Sequence, residues 1–321
     1  MTSTAKTPLV VALDGGYASY DQEHGLLQAV GARFELRPCF NDEAAALAAV
    51  HDADVVMVRE SPVSRAVIER MAHCKGVVRY GIGVDNIDQQ AARERGIAVA
   101  NVPDYGTDEV STHAVSLLLA VARQIVTRDR HVREGRWNAP REHDMYRLRD
   151  RTLGLVGYGR IARQVHEKLA GFGFGRVLVH DPKATLPPGA EHASVDEICA
   201  ESDVISLHVP LTAATRHLID ARRLATVRPT AILVNTGRGG LVDLDALHDT
   251  LKSGRLLGAG LDVFETEPVN PDHPIFGLPN VVVSDHIGWY SEEAMRDLQR
   301  KATEEAVRIL AGNRPLHWLN P

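Results

Sequence analysis

Leu153-Gly154-Leu155-Val156-Gly157-Tyr158-Gly159-Arg160-Ile161-Ala162 is the stretch on which the fold turns. Its apolar beginning reads as a buried strand, and the glycines that follow read as a tight turn into a helix. Gly157 can make the turn, Gly159 lets backbone approach an anion, and Ala162 is small enough for close helix–strand packing. The helix start at Arg160 and Ile161 presents free N–H groups and a positive dipole end to that anion. Asp181 lies 22 residues beyond Gly159, closing the next apolar run. A carboxylate there can accept hydrogen bonds from both hydroxyls of an adenosine ribose and would repel a 2′-phosphate, with Lys183 the only nearby cation to offset this. The pattern therefore predicts NAD over NADP. Glycines at a strand–helix turn also arise for steric reasons alone, and Asp181 before Pro182 also reads as a turn residue.

Working outward, apolar strand-like runs alternate with helical patterns along the whole chain, as parallel α/β sheets require. The first series of strands is expected at 9–13, 34–37, 55–58, 77–79 and 97–100, separated by helices such as 43–50 and 64–72. A second series is expected at 153–156, 176–180, 204–207, 232–234, 258–261 and 281–283. Six strands with intervening helices fit a doubly wound dinucleotide-binding sheet. Gly189 and the cluster of Pro182, Pro187 and Pro188 read as a loop after its second strand. Between the series, Val110, Ala114, Leu117, Leu118 and Val121 recur at helical spacing, which predicts a core helix that can also connect two domains. A last helix is expected over about 292–310, crossing back to the first domain. At 321 residues the chain suits two domains. The expected fold is thus α/β, two Rossmann-like or flavodoxin-like parallel-sheet domains with an active-site cleft between them. Their expected extents are 1–101 for the first, 102–289 for the dinucleotide-binding domain, and 290–321 for the returning helix.

Composition narrows the class of function. The chain is 44% apolar and 24% charged with a net charge of -6, and no block of like charge points to nucleic acid or an anionic membrane as a partner. Residues 1–8 are polar and lack the apolar core of a secretory signal, and the longest apolar run, 114–122, is far shorter than the roughly 20 residues of a membrane span. A soluble, cytoplasmic protein is expected. Cys39, Cys74 and Cys199 are scattered without CxxC spacing, which fits buried thiols in a reducing compartment. His166-Glu167 opens like a zinc motif, but Ala170 stands where its second histidine would be, so no metal site is expected.

Three side chains then name a chemistry. Arg238 lies in Asn235-Thr236-Gly237-Arg238-Gly239-Gly240-Leu241-Val242-Asp243, Glu267 in LDVFETEP and His286 in SDHIGWYS. Interconverting a 2-hydroxy acid and a 2-keto acid needs a carboxylate anchor, a proton exchanger at the hydroxyl oxygen and a hydride acceptor at the carbon. Arg238 offers a planar fork that holds carboxylate and carbonyl oxygen together. His286 can take and give the proton near neutral pH. Glu267, bonded to the far ring nitrogen, orients the imidazole and stabilises the imidazolium. Keto-acid reduction is then expected to hold up at mildly acidic pH and hydroxy-acid oxidation at alkaline pH. Each residue alone has a plainer reading, Arg238 as a surface charge and Glu267 as a solvated loop residue; their joint occurrence after successive strands of one sheet favours the chemical one.

With these residues in hand, the chain resembles the NAD-dependent D-isomer-specific 2-hydroxyacid dehydrogenases over nearly its whole length. The motifs that carry the resemblance are Arg79-Tyr80-Gly81-Ile82-Gly83-Val84-Asp85-Asn86-Ile87-Asp88, Gly96-Ile97-Ala98-Val99-Ala100-Asn101-Val102-Pro103, GYGRIA, His208-Val209-Pro210-Leu211-Thr212, NTGRGGLVD, LDVFETEP and HIGWYS. Through VVRYGIGVDNID, 231–236 and His286-Ile287-Gly288-Trp289-Tyr290-Ser291-Glu292 it is most similar to the C-terminal binding protein branch. The resemblance implies that Ile82 and Gly83 give backbone N–H groups to the substrate carboxylate, that Arg79 adds a charge, and that Trp289 lines the substrate side-chain pocket. It also implies that Val209, Pro210, Thr215, Thr236, Gly237, Asp262 and Gly288 lie along the cofactor. A homodimer through the cofactor domains is implied, with 123–137 as an arm. Where many relatives carry Thr-Pro before the histidine, this chain has Ser284-Asp285. No regulatory domain follows Pro321, which weighs against phosphoglycerate, and Trp289 favours an apolar or compact keto acid, so phosphoglycerate and hydroxypyruvate stand as alternative substrates. The rival function is an NADH-sensing dimeric binding protein, corepressor-like and without turnover. The full triad and the absence of a long disordered tail favour the enzyme.

Overall fold

The computed structural model describes residues 7–40, 42–141 and 143–321, so most of the polar start of the chain lies outside the described residues. The chain divides into two compact units. One runs to Gly106 and resumes with Ser291–Pro321; the other is Thr107–Tyr290. The expected boundaries at 101 and 289 lie five residues and one residue before those divisions.

In the first unit, strands β1 (Leu9–Ala12), β2 (Arg33–Leu36), β3 (Val55–Val58), β4 (Gly76–Arg79) and β5 (Ala98–Ala100) form a parallel sheet in the order β2-β1-β3-β4-β5. The sequences of β1 and β3, LVVA and VVMV, are buried at every position, as strands covered by helices on both faces must be. The order is that of flavodoxin-like doubly wound sheets. Helix Glu292–Leu310 belongs to this unit. Ser291 caps its start by accepting the Ala294 N–H at 2.9 Å. Gly76 lets it lie close, since a Cβ there would stand 2.7 Å from Ile309 Cδ1. Beyond the helix, Asn320 accepts the Val99 N–H at 2.7 Å and donates to the Ile97 carbonyl at 2.9 Å. The end of the chain is thereby stitched to β5.

The second unit holds a seven-stranded parallel sheet in the order β12-β11-β10-β9-β6-β7-β8. Its strands are β6 (Thr152–Val156), β7 (Arg176–His180), β8 (Ala190–His192), β9 (Val204–Leu207), β10 (Ile232–Asn235), β11 (Gly258–Leu261) and β12 (Val281–Val283). The expected count of six is corrected by β8, which follows the proline cluster read as loop. Ala-Glu-His carries no apolar signal because an edge strand of three residues buries little, and backbone pairing to β7 makes it a strand. The strand order reverses between β6 and β9, and crevices at such a switch point open at the carboxyl ends of the strands.

Helix Thr107–Ala122 buries Val110, Ala114, Leu117, Leu118 and Val121. It lies against β11 through glycines: a Cβ on Gly260 would meet Leu117 Cβ at 2.8 Å. After Gln124, at φ +52, the chain bends 60° into helix Ile125–Arg133. There and just beyond, Ile125, Val126, Val132 and Trp137 are exposed. Among the described residues no single helix is long and apolar enough to cross a membrane, and no group of three His, Cys, Asp or Glu side chains is arranged to hold a metal ion.

Candidate active site

The glycine turn leaves β6 at its carboxyl end. Gly157 has φ +90, and a Cβ on it would lie 2.6 Å from the His208 carbonyl oxygen, so only glycine fits. Val209 flanks it, with Cγ1 at 3.0 Å from that Cβ position, and His208 is held neutral by burial, which pushes its imidazole down to about 4. Gly159 is the N-cap of helix Arg160–Leu169, open space surrounds its Cβ position, and no side chain caps the helix. The first-turn N–H groups of Arg160 and Ile161 are therefore not taken by a side-chain cap. Asp181 follows β7. Its Oδ1 accepts the Lys183 N–H and its Oδ2 the Tyr158 N–H, both at 3.0 Å, and these backbone donors hold its carboxyl below the usual carboxylate range. Each oxygen keeps a further lone pair for a ribose hydroxyl.

Thr215 donates its hydroxyl to the carbonyl of exposed Pro210 at 2.7 Å and accepts the Thr212 N–H at 2.8 Å, which closes the loop after β9. After β10, Thr236 Oγ1 is buried without a partner among the described residues. A buried hydroxyl left open is costly unless a ligand group satisfies it. The glycine turn, uncapped helix, Asp181 and Thr236 together fit NAD.

Asn235, buried at the end of β10, accepts the Gly237 N–H at 3.1 Å and donates to the Arg238 carbonyl at 2.9 Å. This turn aims Arg238, whose guanidinium also donates to the Gly237 carbonyl at 2.9 Å. Gly239 was not singled out by sequence reasoning, yet a Cβ on it would lie 1.8 Å from the Phe264 carbonyl carbon. The loops after β10 and β11 touch backbone to backbone there, which brings Arg238 near enough to Glu267 for its charge to act on that carboxyl.

Glu267 accepts the Phe264 N–H through Oε1 at 2.8 Å and faces His286 Nδ1 through Oε2 at 2.7 Å. Burial alone would raise its pKa, but the bonds from His286 and Phe264 and the charges of His286 and Arg238 outweigh it and hold the carboxyl below the usual range. A carboxylate partner requires hydrogen on Nδ1, which leaves Nε2 as the nitrogen available for proton exchange. The pair is partly solvent-accessible, with side-chain exposures of 42% for His286 and 37% for Glu267.

His286 sits at φ +58, and Asp262 holds it there. Asp262 is 2% exposed. Its carbonyl accepts the His286 N–H at 2.8 Å, its Oδ1 accepts Ser284 Oγ–H at 2.6 Å and the Ile287 N–H at 3.0 Å, and its Oδ2 the Gly288 N–H at 3.0 Å. Burial would raise this carboxyl too, and donors from His113, Ser284 and Gly288 bring it below its usual value. One lone pair on Oδ2 is left for a cofactor amide, but the larger part of Asp262's bonding organises the loop. Gly288 is glycine because a Cβ would stand 2.8 Å from Asp262 Oδ2. Asp285 is exposed, and Trp289 packs edge-on against Tyr290 at 5.7 Å.

In the first unit Arg79 ends β4 and donates to the Tyr80 carbonyl. Gly81 turns the chain at φ +139, and Asn101 Nδ2 holds the Ile82 carbonyl at 2.6 Å. Among the described residues no backbone carbonyl accepts from the Ile82 or Gly83 N–H. Burial pushes the Cys74 thiol up to about 12 and Cys199 up to about 11, so neither is a nucleophile near neutral pH.

A doubly wound sheet with an uncapped glycine turn at its switch point, and an imidazole–carboxylate pair beside an arginine on its loops, defines a nicotinamide-dependent dehydrogenase. The family profile for the "D-isomer specific 2-hydroxyacid dehydrogenase, NAD binding domain" matches residues 115–288. The chain is 39% identical over 279 residues to the glyoxylate reductase of Korarchaeum cryptofilum, covering 84% of each chain. It is 38% identical over 267 residues to the hydroxypyruvate reductase of Thermotoga maritima, covering 81% of this chain and 86% of that one. A solved structure from Thermus thermophilus superposes with a TM-score of 0.89 at 35% identity, over 97% of this chain and 99% of the other. The chain belongs to the D-isomer-specific 2-hydroxyacid dehydrogenase family.

Proposed function

We propose that the protein reduces a compact 2-keto acid to the D-2-hydroxy acid with NADH, and runs the reverse reaction with NAD. The observation that carries this is the 2.7 Å contact between His286 Nδ1 and Glu267 Oε2, made by loops of the same sheet that bears the glycine turn. NAD(H) bound at that turn supplies or accepts the hydride. Arg238 holds the substrate's carboxylate and carbonyl oxygen, which fixes the reacting carbon. In reduction, His286 gives its Nε2 proton to the carbonyl oxygen as that oxygen gains charge, and ends neutral; in oxidation it takes the proton back. Glu267 stabilises the imidazolium before transfer and keeps the ring in one orientation. The hydride would bring both electrons and complete the C–H bond, and the proton from His286 completes the O–H bond.

Glyoxylate and hydroxypyruvate are the substrate class favoured by the names of the similar reductases, and Trp289 beside the histidine loop suits a small side chain. Arg79 and the amides of Ile82 and Gly83 are assigned to carboxylate binding. We assign the chain to the C-terminal binding protein branch on its HIGWYSE motif, and expect a cytoplasmic homodimer through the second unit. The exposed Ile125, Val126, Val132 and Trp137 supply the apolar surface for it.

The test is NADH consumption with the whole protein over a panel from glyoxylate and hydroxypyruvate to phenylpyruvate and 3-phosphohydroxypyruvate. The proposal expects turnover highest for the compact acids. Tight NADH binding with no turnover of any acid would point to a nucleotide sensor instead.

A further inference from the structure

We propose that His113, on helix Thr107–Ala122, is a positioning residue for His286, acting as the first donor of a hydrogen-bond chain through Ser284 to Asp262. Its link to turnover rests on the assignment of His286 as proton exchanger; the chain itself does not. Ser284 Oγ lies 2.6 Å from Asp262 Oδ1 and 2.7 Å from His113 Nε2. A serine hydroxyl has one proton. Were that proton directed at His113, a bare oxygen would face the buried Asp262 carboxylate at hydrogen-bond distance. The proton therefore points to Asp262, and His113 must carry hydrogen on Nε2 and donate it to Ser284. His113 Nε2 also lies 3.4 Å from Asp262 Oδ1 itself.

The chain ends on the residue that builds the histidine loop. Asp262 gathers the N–H groups of Ile287 and Gly288 on its carboxylate and that of His286 on its carbonyl. His286 occupies a left-handed conformation at φ +58, which a side-chain-bearing residue keeps only when its surroundings hold it. The His113 ring also closes the space beside the loop, since a Cβ on Gly288 would meet its Cδ2 at 3.1 Å. His113 and Ser284 are 171 positions apart, so the chain couples a core helix to the loop that carries the imidazole. Displacement of a reacting group by about 1 Å can cost roughly a hundredfold in rate.

The experiment compares wild type with His113→Phe, His113→Gln, Ser284→Ala and Ser284→Thr. Three readouts apply: kcat and KM, amide exchange over 284–291, and the 15N shifts of the His113 ring. In wild type the shifts are expected to show hydrogen on Nε2. His113→Phe and Ser284→Ala should lower kcat about 10- to 100-fold, with KM and NADH binding little changed and with faster exchange at Ile287 and Gly288. His113→Gln, which keeps an N–H donor, and Ser284→Thr, which keeps the hydroxyl, should recover most of both. A His113 ring with hydrogen on Nδ1 only would overturn the proposal. So would a His113→Phe protein with wild-type kcat and exchange, or equal impairment of the Phe and Gln variants. Should the wild type turn over no keto acid, the proposed activity fails while the ring shifts and amide exchange still decide the chain.

Discussion

At the scale of single residues, chemistry is set by which atoms each side chain has left after the fold has used the others. Glu267 accepts a backbone N–H at Oε1 and faces His286 at Oε2, and as an ionised carboxylate it has no proton to give the substrate. Its carboxyl is held below the usual range, so it stays ionised through mildly acidic conditions. Keto-acid reduction should accordingly keep its rate down to the ordinary glutamate value of about 4.3 and decline only below it. A pH–rate profile with chemistry rate-limiting checks this, and an acid limb at about 6.5, the ordinary histidine value, would count against the pair. Glu267→Gln should lower kcat by roughly a hundredfold while NADH binding, measured by fluorescence, stays near wild type. Asp181 gives a second residue-scale expectation. Its two oxygens are held by backbone donors, so Asp181→Ser should weaken NADH and strengthen NADPH relative to wild type, read as a change in the ratio of their KM values.

At the scale of elements, the site depends on how closely loops approach. Gly239→Ala would drive a methyl into the Phe264 carbonyl carbon, 1.8 Å away. Overpacking of this kind costs about 1–3 kcal/mol, and here it pushes the Arg238 turn off the Glu267 loop. Thermal melting should fall and kcat should fall further than stability alone explains. Strands β1, β3, β9 and β10 were readable because burial at every position leaves a near-continuous apolar pattern, and helix Glu292–Leu310 falls on the expected 292–310. β8 was not, because Ala190–His192 is held by an edge pairing that its composition does not record. Arg238, Glu267 and His286 stand out in the sequence since few side chains suit their chemistry. The clamp of Asp262, Ser284 and His113 does not, because its members come from three elements and each is ordinary alone; nor does Gly239, whose requirement is a neighbour distant in sequence.

At the scale of the whole molecule, stability and site lie at opposite ends of the second unit's strands. Asp203, at the amino end of β9, accepts the Thr152 N–H at 3.0 Å and is paired with Arg151 at 2.9 Å and Arg228 at 3.3 Å. Burial would raise its carboxyl, yet these donors hold it below the usual range. A carboxyl lowered on folding stabilises fully above its unfolded value of about 3.9, and that contribution is lost as pH falls through the folded value. Asp203→Asn should therefore lower the stability near neutral pH by about 1.5–3 kcal/mol, the range for hydrogen bonds to charge, read as a fall in melting temperature, and the difference from wild type should shrink in acid. The activity, by contrast, should be untouched in the folded variant. In the proposed reaction the proton exchange with a 2-keto acid belongs to His286, supported by Glu267. The most direct measurement of that role is steady-state NADH oxidation by His286→Ala beside wild type, with NADH binding measured on both. A loss of about 10²- to 10⁴-fold in kcat at unchanged NADH affinity is expected. A His286→Ala protein that binds NADH and reduces the keto acid at the wild-type rate would contradict that role.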